Sequence, residues 1–270
     1  TGKGIIIGVM DTGLDYTHPD LKGSVYINSA EDANGNGTFE PWPENEKING
    51  VSGDFDGEDN DGNGYIDDVI GYDFVDQTIA NLGDWSDADP DPYDENNHGT
   101  YTSGVIAAQT NNGIGIAGVA RDAKILSVRV MDATGNGESD DIAAGIVYAA
   151  NAGAKVLNMS FGDYFDSPIM HDALKYAYSK GCFLVASAGN DNSSELHFPS
   201  DYEECISVGG ENKRGTRWGS SNWGNRLDIL APADSVFTTV PNKSYGYKHG
   251  TSLAAPYVSA AAAMLMEANS

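Results

Sequence analysis

The sequence predicts an α/β protein with a doubly wound, mostly parallel sheet covered by helices on both faces. Three observations predict it. Short apolar runs at 4–10, 124–130, 155–159, 182–188, 205–208 and 227–230 are hydrophobic throughout rather than alternating, as in strands buried on both sides. Ala-rich or amphipathic stretches at 99–109, 139–151 and 169–180 lie between several of them. Strand and helix succeed one another along the chain, which implies right-handed crossovers between parallel neighbours.

In chain order, the first strand, 4–10, ends on Asp11-Thr12-Gly13. Residues 25–97 then break the pattern, being rich in Asp, Asn, Gly, Pro and Trp with little periodicity. So long a stretch inside a compact domain needs a source of order other than an apolar core. The helix at 99–109 opens on His98-Gly99-Thr100. Strand 124–130 with helix 139–151, and strand 155–159 with helix 169–180, are the next two units. After three further strands, Gly250-Thr251-Ser252-Leu253-Ala254-Ala255-Pro256 opens a last Ala-rich helix. Pro256 is expected in its first turn, where a missing N–H costs no helix bond. With no repeat and no Pro/Ser-rich linker, residues 1–270 read as a single domain. Sites in such sheets gather at the carboxyl ends of strands.

Composition narrows the function. The chain carries 40 acidic against 15 basic residues, a formal charge of −25. That field repels nucleic acid and anionic membranes, which excludes both as partners. No apolar run is long enough to cross a bilayer. The N-terminus shows no signal-peptide pattern, so any targeting or pro-segment is absent from this sequence. Adaptation to salt or plain solubility would explain the charge, but it is unevenly spread. From Lys47 to Arg121 no Lys or Arg intervenes, and carboxylates concentrated without cations suit bound calcium. Cys182 and Cys205 fit no zinc spacing; two core thiols and a disulfide between neighbouring strands both remain open.

Asp11, His98 and Ser252 carry the chemistry: a carboxylate after a strand, an imidazole at a helix start, and a hydroxyl at a helix N-terminus. There the free N–H groups and the dipole favour developing negative charge. Each motif alone is weak. In the order Asp, His, Ser they form a constellation for nucleophilic catalysis.

With Asp11-Thr12-Gly13-Leu14-Asp15, His98-Gly99-Thr100, Leu157-Asn158-Met159-Ser160-Phe161-Gly162, Ala188-Gly189-Asn190 and Gly250 to Pro256, the chain resembles the subtilisin-like serine proteases. The resemblance implies a secreted, extracellular and monomeric endopeptidase acting on peptides or proteins. A removed pro-segment would serve as its folding chaperone and inhibitor. It implies Asp11, His98 and Ser252 as triad, and Asn190 with the Ser252 N–H as oxyanion donors. A substrate peptide would add as a strand between Gly135-Asn136-Gly137 and Ser160-Phe161-Gly162. Ser160–Gly162 and Ala186–Asn190, including Ala188 and Gly189, would wall the first pocket, and selectivity would be broad. Asp191 is expected at the pocket rim, His197 near its floor, and Ser139 beside an outer subsite.

Two calcium sites are expected. Asp59-x-Asp61-x-Asn63-Gly64-Tyr65-Ile66-Asp67 follows the first nine positions of an EF-hand-type loop. Its closing Glu is missing, with Ile70 in that place, so Asp67, Asp68 or an acid such as Asp54 or Asp56 must complete the shell. The resemblance implies a second site with side-chain ligands Asp20 and Asn112 and carbonyl ligands Thr110, Ile114 and Ile116. Tyr101-Thr102-Ser103-Gly104 and Leu253 depart from the family pattern, and neither is expected to touch a catalytic atom. Only residues 253–270 follow Ser252, so the C-terminus reads as truncated. The alternatives are an inactive binding module on this fold and a calcium-dependent surface module.

Overall fold

The computed structural model describes residues 1–76 and 88–269. In chain order it forms β1 (Ile6–Asp11), β2 (Lys47–Ile48), β3 (Val51–Ser52), β4 (Gly71–Asp73) and α1 (His98–Ala107). Next come β5 (Lys124–Arg129), α2 (Ser139–Asn151), β6 (Val156–Met159), α3 (Pro168–Ser179) and β7 (Phe183–Ser187). β8 (Cys205–Glu211), β9 (Ile229–Pro232), β10 (Val236–Val240), β11 (Ser244–Lys248) and α4 (Thr251–Ala268) complete it. Seven strands form one parallel sheet in the order β4-β5-β1-β6-β7-β8-β9.

Both faces of this sheet are buried, as its continuous apolar runs predict. Met10, Leu126, Val128, Leu157, Met159 and Leu184 face Ile142, Ile146 and Ala149 of α2 and Ala173, Leu174 and Ala177 of α3. The alternate residues Ile7, Val9, Ile125, Val156, Val185 and Val208 face Ile106 of α1 and Ala254, Ala255, Ala260 and Ala263 of α4. The small side chains of α4 let it lie against β6 to β9. The strand order turns back beside β1, since β5 and β6 flank it. At such a switch point the carboxyl ends of neighbouring strands open a crevice.

The structure differs from the sequence reading of these elements in three places and decides one question it left open. β4, only three residues long, lies inside the polar stretch, anchored by buried Val69, Ile70, Phe74 and Val75. The β10–β11 hairpin was not expected; Asn242 and Lys243 turn it at positive φ without a glycine, so the usual Asn-Gly signal is missing. Pro256 falls in the second turn of α4, not the first. There it frees the Ser252 carbonyl four residues back, which accepts instead from Ser160 Oγ at 2.9 Å. Cys182 and Cys205 are both free thiols, which decides between the two open readings. Burial pushes each thiol above its ordinary range.

Candidate active site

Asp11 is the last residue of β1 and His98 the first of α1. Gly13 has φ 104°, and a Cβ there would sit 2.6 Å from the carbonyl oxygens of Pro92 and Tyr93. A Cβ on Gly99 would lie 2.0 Å from the Gly13 carbonyl oxygen. Only glycine at both positions lets the two segments approach. Asp94 locks them together. Its Oδ1 accepts from Thr12 Oγ1 at 2.8 Å and Asn97 N at 2.7 Å. Its Oδ2 accepts from Thr100 N at 2.8 Å and Thr100 Oγ1 at 2.6 Å. Sequence reasoning missed Asp94; the signal was an Asp shortly before the helix start, the usual place for a side chain that takes orphan N–H groups.

The imidazole is thereby brought onto the carboxylate. His98 Nδ1 lies 2.7 Å from Asp11 Oδ1. An ionised carboxylate only accepts, so Nδ1 carries the hydrogen and Nε2 keeps its lone pair. Asp11 is fully buried and takes two further donors, Thr12 N at 2.8 Å and Thr102 Oγ1 at 3.2 Å. Thr102 therefore does contact the Asp11 carboxylate, contrary to the sequence expectation. Burial opposes the charged imidazolium, but the charge and hydrogen bond of Asp11, with Asp94 behind, hold His98 above its ordinary range.

Ser252 lies in the first turn of α4, where backbone N–H groups have no helical acceptor. Its Oγ donates to the Ser160 carbonyl at 2.9 Å, while Ser160 Oγ donates to the Ser252 carbonyl at 2.9 Å. Behind this pair, Asn158 Nδ2 donates to Ser160 Oγ at 3.0 Å and Ser259 Oγ to Asn158 Oδ1 at 2.8 Å. A buried chain of side chains thus ties β6 to α4 beneath the hydroxyl. Asn190 Oδ1 accepts from Thr251 N at 2.8 Å and Thr251 Oγ1 at 3.1 Å. That pins the oxygen end of the amide to α4, so its Nδ2 points elsewhere.

His98, Ser252, Asn190, Ser160, Gly189 and Asp191 line one cavity of about 380 Å³. Gly135, Phe161 and Gly162 line both this cavity and the adjoining one, which adds Asn136, Gly137 and Ser139. The two loops singled out as substrate edges therefore face one continuous cleft. Ala188, expected as a wall of the first pocket, is buried and lines a separate cavity with Asp201 and Asn222 instead. His197 is buried with its ring against Gly162, where a Cβ would meet Cε1 at 2.3 Å. Burial lowers its pKa despite Asp201, Asp191 and Asp163 nearby, keeping the ring neutral. Asp191 Oδ2 accepts from Tyr164 Oη at 2.8 Å, and Asn222 Oδ1 takes the N–H of Asp191 at 2.9 Å. Tyr164 and Asn222 are pocket-supporting residues the sequence did not reveal.

The calcium candidates are partly brought together. Asp20 Oδ1 accepts from Asn112 Nδ2 at 2.6 Å and Oδ2 from Ile116 N at 2.9 Å, with Ile114 in the same turn. Thr110 stands on the approach to that turn. In the acidic loop Asn63 Nδ2 donates to Asp61 at 3.2 Å and to Asp68 at 3.0 Å. Asp59 takes the N–H groups of Gly62, Asn63 and Gly64, and Asp67 those of Asp56 and Gly57. The Tyr65 ring packs against Tyr72, Phe74 and Tyr148.

A seven-stranded parallel sheet with helices on both faces, and a cleft lined by His98 and Ser252, define a doubly wound α/β protein. The chain belongs to the subtilase family, peptidase S8, whose sequence model matches residues 2–270. It is 37% identical over 259 residues to a thermophilic serine proteinase of Bacillus sp. strain AK1, covering 96% of this chain and 51% of that protein. Thermitase of Thermoactinomyces vulgaris is 33% identical over 264 residues, covering 98% of this chain and 75% of that protein. This chain thus spans about half the length of the Bacillus relative. A solved protease structure from Pseudoalteromonas arctica superposes with a TM-score of 0.78 at 28% identity, covering 99% of this chain and 79% of that one. A cold-adapted subtilisin-like serine proteinase gives 0.73 at 25% identity, covering 99% and 77%.

Proposed function

We propose that this chain is the catalytic domain, spanning residues 1–270, of a secreted serine endopeptidase that binds calcium as a structural ion. The observation that carries the reading is the His98 Nδ1 to Asp11 Oδ1 bond of 2.7 Å, on a cleft that also holds Ser252 and Asn190. It leaves Nε2 as a base directed away from the buried carboxylate.

In the reaction, Ser252 Oγ leaves the Ser160 carbonyl by rotation about its Cα–Cβ bond and engages His98 Nε2. As Oγ attacks the peptide carbonyl, its proton passes to Nε2, and Asp11 stabilises the imidazolium. The oxyanion is received by Asn190 Nδ2 and the Ser252 N–H, both fixed before the substrate arrives. The imidazolium then protonates the departing amine, and water hydrolyses the acyl-enzyme by the reverse proton path. A peptide lying as a strand between Gly135-Asn136-Gly137 and Ser160-Phe161-Gly162 is held chiefly through its backbone, which supports broad selectivity.

Calcium in the acidic loop and at the Asp20 turn would stabilise the fold without entering the chemistry. The carboxylate-rich run after Lys47, which holds no Lys or Arg before Arg121, supports this. Among the described residues no helix is long and apolar enough to cross a membrane. Purified protein should hydrolyse casein, and Ser252→Ala should abolish this while keeping the fold. Hydrolysis that persists in Ser252→Ala would overturn the assignment.

A further inference from the structure

We propose that Glu31, Asp61 and Asp68 form a calcium site, with Glu31 supplying the carboxylate that the 59–67 loop lacks in its own sequence. One oxygen from each of the three lies within 4.8 Å of the others. Two oxygens bound to one calcium at 2.3–2.6 Å lie at most about 5 Å apart, so the spacing fits a shared ion. The donor set is oxygen only, which favours a hard cation over zinc or copper.

The independent observation is Glu31 itself. It is fully buried; Oε1 accepts the Asp61 N–H at 2.8 Å, while buried Oε2 has no hydrogen-bond partner. An unpartnered carboxylate oxygen held out of water beside two more carboxylates is strongly unfavourable. Among the described residues, none of the three carboxylates makes an ion pair with Lys or Arg. A divalent ion resolves both problems at once.

The surroundings suit a bound cation. Asn28 Nδ2 lies 2.9 Å from Asp61 Oδ2 and 3.3 Å from Asp68 Oδ1, and Asn63 Nδ2 also reaches both acids. Exchanging amide oxygen for nitrogen keeps the shape of either side chain and presents an oxygen to the ion. Tyr148 Oη donates to Asp68 Oδ2 at 2.7 Å, orienting that carboxylate from α2. A cavity of about 200 Å³ bordered by Tyr26, Tyr65 and Tyr148 adjoins Asp61 and Asp68, leaving room for water ligands. Such an ion would cross-link residues 28–31, the 59–68 loop and α2.

The choice of ion rests on the calcium reading of the loop given above; the site is independent of the peptidase reading. The test uses the full chain carrying Ser252→Ala, which prevents self-digestion. Bound calcium is counted by equilibrium dialysis, and terbium emission is excited through the neighbouring tyrosines. Glu31→Gln should lose one calcium per chain and most of the sensitised terbium emission. Asp61→Asn should repeat both losses, whereas Asp20→Asn should keep the terbium signal. In chelator, Glu31→Gln should melt no lower than its parent, because a repelling charge has gone; in calcium it should melt lower. Full calcium stoichiometry in Glu31→Gln, or equal melting losses with and without calcium, would overturn the site. Absence of calcium binding in the parent would overturn the calcium reading as a whole.

Discussion

The rim of the sheet and the acidic insert are built from the same residue types, yet they owe their order to different forces. At the rim, Asp11 ends a strand whose neighbours are buried on both faces, and the core fixes where its carboxylate points. In the insert there is little core to do this. Asp32 collects the N–H groups of Gly35, Asn36 and Gly37, and Asp59 does the same for Gly62, Asn63 and Gly64. These carboxylates replace secondary structure as acceptors for the backbone. One region holds charges so that they can act; the other uses charges to hold itself.

If that division is right, substitutions at the rim should remove turnover and spare stability, and changes in the insert should do the reverse. The largest effect expected is Ser252→Ala, a fall of about 10⁶-fold in kcat with the melting temperature unchanged. Asn190→Ala should lower kcat by about 10²–10³-fold with KM little altered. Both magnitudes are those established for subtilisin. A melting loss from Ser252→Ala comparable to that of an insert variant would break the division.

Chelation should act on the other side. A site filled at a hundredfold excess over its Kd contributes about 2.7 kcal/mol, which calorimetry in chelator should read as a melting temperature several degrees lower. Single-turnover chemistry measured immediately after chelation should stay near its starting rate. An instant loss of that rate would place the ion in the chemistry and merge the two regions. The smallest effect expected is Thr102→Val. It removes one donor to Asp11, worth about 1 kcal/mol, and so should cost about fivefold in kcat/KM. No change there would make Thr102 a packing residue alone.

The contrast also explains what the sequence disclosed. The parallel sheet and all four helices were legible in the sequence, and Asp11, His98, Asn190 and Ser252, the proposed catalytic set, stood out because strand ends and helix starts carry short local signals. Asp94, Asn222 and Glu31 were not, because each acts on partners fixed only by the fold. Glu31 meets Asp61 across thirty residues of irregular chain, where neither period 2 nor period 3.6 exists to bring them together. The EF-hand-like spacing points to the loop where the calcium site is proposed, yet two of its acids, Asp59 and Asp67, serve the backbone. Pro256 shows the same limit: reading it as a first-turn proline concealed that it frees the Ser252 carbonyl for Ser160.

The central claim is that a neutral His98, oriented by Asp11, activates Ser252. Labelling of the protein by an organophosphorus fluoridate, followed against pH and mapped by mass, tests it most directly. Because Asp11 and Asp94 stabilise the imidazolium, the free base forms only above the ordinary histidine pKa of about 6.5. The labelling rate should therefore rise through a single ionisation above that value, with one label per chain on Ser252. Labelling at another residue, or a rate that ignores pH across that range, would contradict the assignment.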